Sequence, residues 1–178
     1  GDKGAGQSDT LLFAAREGRG PVIEALAEAN GVERGGGLLA HGGKRQVRAG
    51  DFEREPVAVA ERLLGRPHAL GARSSFETDC SGLVQQALLA CGLPGPRRSD
   101  AQADLGRPIA RAEAQRGDLV VWMAPAGDDW TGHSAIMVDA DQVIHSTGTR
   151  GGVVIETLAE VETRLTGEGF ASAVFRRI

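Results

Sequence analysis

The chain has no tyrosine, only two cysteines, and four histidines in 178 residues. With so few soft ligands, and no H-E-x-x-H or C-x-x-C spacing, it offers no credible zinc site, and no cofactor is expected. No run of 18 or more apolar residues occurs, so no membrane span is expected. A basic excess is also missing: 20 Lys and Arg stand against 24 Asp and Glu, a formal charge of −4, which argues against nucleic acid as a partner. The arginines of P-R-R-S, Arg97 and Arg98, and of the terminal R-R-I read as solvated surface. Without a secretory leader the expectation is a cytoplasmic protein, with a periplasmic or secreted one open if the start was trimmed. What is present, 41% apolar and 25% charged residues, suits one globular domain with a small accessory module, and leaves the oligomeric state open.

The first informative string is D-C-S-G-L-V around Cys80. Asp79 and Ser81 are helix-starting residue types, and Leu83, Val84, Ala87, Leu88 and Cys91 follow at the spacing of an apolar helix face, so a helix is predicted to begin at the cysteine. A free thiol is only about 3% ionised at pH 7, and a helix N-terminus with a nearby imidazolium would favour the thiolate. A drop of ~2 pKa units would ionise roughly three quarters of it. Cys91, just before Gly92 in A-L-L-A-C-G-L, reads as core. Eleven residues of helix put the two cysteines about 16 Å apart, against the ~5.5 Å that a disulfide needs.

Two histidines lie on later β-prone runs. Residues 132–138 and 142–147 flank Asp139, Ala140 and Asp141, the composition of a tight hairpin. With that loop Val138 pairs with Gln142, His133 falls opposite Thr147 and His145 opposite Ala135. Both imidazoles then share one face, a diagonal step apart, close enough to meet each other or a common cysteine. A one-residue slip would put them on opposite faces.

The order D-C-S-G-L-V, R-G-D-L-V-V-W (116–122), G-H-S-A-I-M-V-D, V-I-H-S-T resembles the NlpC-type family of bacterial cell-wall cysteine peptidases over roughly residues 56–178. The resemblance implies an α+β, papain-like core with the cysteine helix packed on an antiparallel sheet. It implies Cys80 as nucleophile, His133 as general base and His145 as the group that orients His133. The substrate it implies is the stem peptide of peptidoglycan, cut between γ-linked D-glutamate and a diamino acid. Asp79 and Ser81, flanking the nucleophile, would anchor a substrate amino group. The chain departs from the family in R-P-H-A-L-G-A: His68 stands where a tyrosine is usual, so that it either replaces a tyrosine hydrogen bond to substrate or is an exposed loop residue. A related Cys/His amidase or acyltransferase, and a wall-peptide binding module with an altered cleft, remain open as alternatives.

Residues 1–8 read as a tail. Residues 9–52, short apolar pieces between glycine-rich turns, are similar to a small all-β SH3-like barrel of the kind that precedes such peptidases, with an amphipathic helix over Pro21 to Glu33 as the rival reading. The catalytic domain is placed at 53–178. It opens with a helix from Pro56 to Gly65 that carries Val57, Ala60, Leu63 and Leu64 on one face. A short helix over 99–106 is capped by Ser99 or Asp100, and strands are expected at 119–122, 153–157 and 171–176. Trp130, on the loop entering the His133 strand, either shapes the cleft or covers its rim.

Overall fold

The computed structural model describes residues 39–41, 44–46, 52–126 and 130–178. Strands β1 (Leu39–His41) and β2 (Lys44–Gln46) form an antiparallel pair. The remainder of the expected SH3-like module, its rival helix and the tail lie outside the described residues.

Helix α1 (Pro56–Glu61) starts where the proline ring presets φ, and turns the buried Val57 and Ala60 inward. Three further residues in turns carry the chain to Gly65, at φ +74°. Leu63 packs on the core, but Leu64 is 44% exposed, because the tighter turns after Glu61 rotate it off the predicted face. Helix α2 (Cys80–Ala90) begins at the cysteine, as expected, with Asp79 as its N-cap. It is buried nearly all round, so its polar members must be satisfied: Gln85 Nε2 donates to the Gly95 carbonyl at 2.8 Å, and Gln86 Nε2 to Thr78 Oγ1 at 3.2 Å. Cys91 sits at the C-cap, half-buried rather than in the core, because the helix ends there and Gly92 turns at φ +72°.

Helix α3 (Ser99–Ala103) is shorter than predicted and neither Ser99 nor Asp100 caps it; Arg98 is the N-cap. The Ser99 hydroxyl is spent on the Gly132 carbonyl, 3.0 Å away, so it cannot serve the helix. Strands β3 (Arg107–Ile109), β4 (Leu119–Met123), β5 (Gly132–Met137), β6 (Gln142–Thr147), β7 (Gly152–Thr157) and β8 (Val174–Arg177) form one antiparallel sheet of order β3-β8-β4-β5-β6-β7. This is the α+β architecture expected, a cysteine helix on an antiparallel sheet. Helix α4 (Leu158–Gly167) was not predicted, although a capping box marks its start: Thr157 Oγ1 accepts from Glu160 N, and Glu160 Oε2 accepts from Thr157 N.

The sheet separates two cores. Leu83, Val84, Ala87 and Leu88 of α2 join Val57 and Ala60 of α1 against Leu119, Ile136, Ile144 and Val153. On the other face Leu158, Val161 and Leu165 of α4 cover Val120, Trp122, Ala135, Met137, Val143 and Phe175. Alternation along the strands then decides where every functional side chain points.

Candidate active site

The predicted hairpin register holds. Ile136 pairs with Ile144 and Met137 with Val143, and the Val138 N–H donates to the Gln142 carbonyl at 2.8 Å, so Ala135 falls level with His145 and His133 with Thr147. The two imidazoles share the α4 face and meet edge-on: the ring planes are at 90° and His133 Nε2 lies 2.7 Å from His145 Nδ1. Trp122, paired with His133 across β4 and β5, flanks the other side, its ring centroid 5.9 Å away.

Behind His145 stands Glu156, which the sequence reading missed. His145 Nε2 is 2.9 Å from Glu156 Oε2, and the same carboxylate takes Arg164 Nη1 and Nη2 at 3.0 and 2.9 Å and Arg150 Nε at 3.0 Å. The signal was available: V-V-I-E-T carries one charge in an otherwise apolar strand, and the β6–β7 register puts Glu156 opposite Val143, diagonal to His145.

Burial alone would raise the Glu156 carboxyl, but the hydrogen bonds from Arg164 and Arg150 outweigh it and hold the group at about 2. An ionised carboxylate only accepts, so His145 Nε2 carries a proton. Burial keeps His145 neutral, its pKa lowered to about 4. Its Nδ1 is therefore an acceptor, and His133 Nε2 must donate to it. The His133 ring is itself pushed well below the ordinary imidazole value, by burial and then by the neighbouring His145, so it too is neutral. Its Nδ1 is left as an unprotonated lone pair that makes no hydrogen bond among the described residues. The tautomers follow from the network, one carboxylate setting both rings.

Cys80 stands beside the strand that carries His133. The β5–β6 ladder pairs only at Ile136 and Met137, and at its open end the cysteine sulfur lies 3.9 Å from the Gly132 carbonyl, the residue before His133. The backbone N–H groups of Ser134 and Ser81 are directed at the sulfur and favour the thiolate. They lose to burial, which with the adjacent Asp79 carboxylate raises the thiol above its ordinary value. The low thiol pKa expected from the helix start is thus not what the site has; desolvation of a half-buried sulfur outweighs the dipole. Among the described residues no hydrogen bond joins Cys80 to His133. The structure sets the sulfur against the strand that carries His133, and burial favours the neutral thiol and the neutral imidazole. Among the described residues the backbone N–H of Cys80, at the start of α2, makes no hydrogen bond.

His68 is half-buried beside this group. Ser146 donates its hydroxyl to the Thr78 carbonyl at 2.6 Å, so His68 Nδ1 must donate to Ser146 Oγ, at 3.0 Å. Asp79 and Ser81 are both buried. The Asp79 carboxylate accepts from Gly82 N at 2.7 Å, Gly71 N at 2.8 Å and both terminal nitrogens of Arg97 at 3.0 and 2.6 Å. Arg97 also donates to Ser81 Oγ at 2.8 Å. Arg97 is therefore no solvated surface arginine; Arg98 is, its side chain 66% exposed. Trp130 is 53% exposed on the segment that enters β5, as a rim residue would be.

Gly82 explains the last letter of the D-C-S-G string. A Cβ there would press on the Ala72 carbonyl and stand 2.9 Å from both Asp79 Oδ1 and Thr78 Oγ1, pushing the segment before Cys80 off the helix. Gly82→Ala is expected to destabilise the protein by about 1–3 kcal/mol, the usual cost of overpacking, read as a lower urea midpoint. An unchanged midpoint would show that the segment gives way.

The profile of the NlpC/P60 family matches residues 65–166, which include Cys80, His133, His145 and Glu156. A probable endopeptidase of Haemophilus influenzae is 35% identical over 95 residues, 53% of this chain and 58% of that protein. A gamma-D-glutamyl-L-lysine dipeptidyl-peptidase of Bacillus subtilis is 31% identical over 98 residues, 55% of this chain and 33% of that protein. Among solved structures, a Bacillus cereus NlpC/P60 family protein superimposes with a TM-score of 0.57 at 27% identity, covering 69% of this chain and 39% of its own. The similarity thus spans little more than half the length of the curated relatives, or less.

Proposed function

The chain belongs to the NlpC/P60 family, and on that premise we propose that it is a cysteine peptidase hydrolysing peptidoglycan stem peptides at the bond between γ-linked D-glutamate and a diamino acid. The observation that carries the reading is the hydrogen-bonded series Glu156–His145–His133, which ends in a bare imidazole nitrogen on the strand that lies against the Cys80 sulfur. Nothing else among the described residues combines a nucleophile with an oriented base. The name of the Bacillus subtilis relative supports the choice of bond.

In this mechanism the Cys80 thiol passes its proton to His133 Nδ1 as the sulfur attacks the scissile carbonyl carbon, so the ion pair forms only with substrate in place. The new imidazolium is stabilised through His145 by the charge of Glu156, and the tetrahedral oxyanion by the Cys80 N–H. His133 then gives the proton to the leaving amine. A thioester remains, and water activated by the same nitrogen releases the acid and restores the thiol.

The test is to incubate the protein with the tripeptide L-Ala-γ-D-Glu-meso-diaminopimelate carrying an N-acetyl group, and to identify products by mass spectrometry. Release of free diaminopimelate, stopped by prior alkylation of the thiol with iodoacetamide, is the expected result. An intact peptide, or a product in which the acyl group has moved to an added amine in place of water, would overturn it.

A further inference from the structure

Resting on that reading, we infer that Arg164, on α4, is a positioning residue that sets the acid limit of the peptidase: it fixes the charge of Glu156 and thereby the proton pattern of His145 and His133. Its two terminal nitrogens donate in parallel to the two carboxylate oxygens, Nη1 to Oε1 at 3.0 Å and Nη2 to Oε2 at 2.9 Å. This planar fork is the strongest pairing open to a guanidinium and a carboxylate, and a lysine could not reproduce it. Arg150 also reaches Oε1, but its side chain is 51% exposed and its charge is screened by water, against 17% for Arg164. The helix holds the fork in register: Val161, one turn before Arg164, and Leu165, next to it, are buried against the sheet.

Three protonations would each disable the base, and Arg164 opposes all three. A proton on Glu156 removes the charge that stabilises the His133 imidazolium through His145. A second proton on His145 fills its Nδ1, so His133 Nε2 loses its acceptor and that ring is driven to carry its proton on Nδ1. A proton on His133 Nδ1 occupies the lone pair itself. Arg164 acts on Glu156 by hydrogen bonding and on both imidazoles through space, and in each case it holds the pKa down. Arg150, in the turn between β6 and β7, works in the same direction on Glu156 and His145. His68, from the segment before α2, opposes a charge on His133 when it is itself protonated. Glu160 of α4 is committed to the Thr157 cap, and the Cys80 thiol is uncharged across the acid range.

The experiment follows kcat/KM for the N-acetyl tripeptide from pH 3 to pH 8 in the wild type, Arg164→Met and Arg164→Lys, over the range where circular dichroism shows each protein folded. Methionine keeps the aliphatic stem and loses the charge; lysine keeps the charge and loses the fork. The acid limb of kcat/KM, which reports the free protein, is expected to move up by about one pH unit in Arg164→Met and by about half as much in Arg164→Lys. The midpoint of His145, read from its Cε1–H resonance in an NMR titration and assigned with His145→Gln, is expected to move up with it. That titration needs no turnover: a wild type that hydrolyses no peptide sinks the peptidase reading, while the His145 midpoint still shows whether Arg164 governs the relay. An acid limb in Arg164→Met that coincides with the wild type or moves down overturns the inference, as does a His145 midpoint that fails to rise. Should Arg164→Met not fold, Arg164→Lys decides, and a limb and midpoint coincident with the wild type overturn it.

Discussion

Cys80→Ala is expected to abolish peptide hydrolysis, and His133→Ala to lower kcat by at least about 10⁴-fold, because members of a nucleophile–base pair act as a unit and losing either forfeits most of the rate. The two variants differ in one informative respect: His133→Ala retains the thiol. Since burial holds the Cys80 thiol above its ordinary pKa and the His133 ring far below its own, neither is charged at neutral pH in the free protein. Alkylation of the wild type by iodoacetamide is then expected to climb about tenfold per pH unit between pH 6 and pH 9, following the small thiolate fraction, with no plateau near neutrality. His133→Ala should show the same slope. A plateau below pH 7 in the wild type that vanishes in the variant would mean a resting thiolate–imidazolium pair, and would sink the account of proton transfer on substrate binding.

Glu156→Gln is expected to lower kcat/KM on the order of 10²-fold and to reshape the dependence of stability on pH. Glu156 is a positioning residue: it touches neither the sulfur nor the His133 ring, and acts by fixing the protons on His145 and, through it, on His133. An amide in its place can donate to His145 Nε2, reverse both tautomers and leave a proton on the nitrogen that should be bare. The stability signs are as follows. Glu156 titrates at about 2 in the fold against 4.5 in the unfolded chain, so it contributes stability that is complete above pH 4.5 and is lost as pH falls toward 2. His145 titrates at about 4 against 6.5, so unfolding takes up its proton first and the fold loses stability as pH falls from 6.5 toward 4. Each group spans about 3 kcal/mol. Urea midpoints measured from pH 8 to pH 3 should therefore begin to drop just below pH 6.5 and drop further below pH 4.5, and Glu156→Gln should lose the second fall. Midpoints that stay level from pH 7 to pH 4 in the wild type would contradict the neutral, buried His145.

The elements around Cys80 were legible because local chemistry specifies them. Asp79 caps, and the apolar spacing from Leu83 to Leu88 orients α2, all within ten residues. The β5–β6 register was legible for a similar reason: a three-residue loop of Asp and Ala admits one pairing that buries Ile136 and Ile144 together, and that pairing brings the histidines to one face. Helix α4 was lost between two β-prone runs although Thr157 and Glu160 mark it, and with it went Arg164. Ser99 was read as a helix cap because Ser before an apolar run usually is one; a long-range partner, the Gly132 carbonyl, took its hydroxyl instead.

By itself the sequence determined the residue types of the chemistry, the helix that starts at the thiol, and the face on which His133 and His145 meet, since each rests on neighbours in the chain or on one short loop. The tertiary structure alone decided protonation and access. Whether Cys80 rests as thiol or thiolate depends on how much water burial removes; which imidazole nitrogen is bare depends on Glu156, one strand beyond His145; what occupies the Asp79 carboxylate depends on an arginine 18 residues further along. Charges and desolvation act through space, and only the folded chain brings those groups within reach of each other.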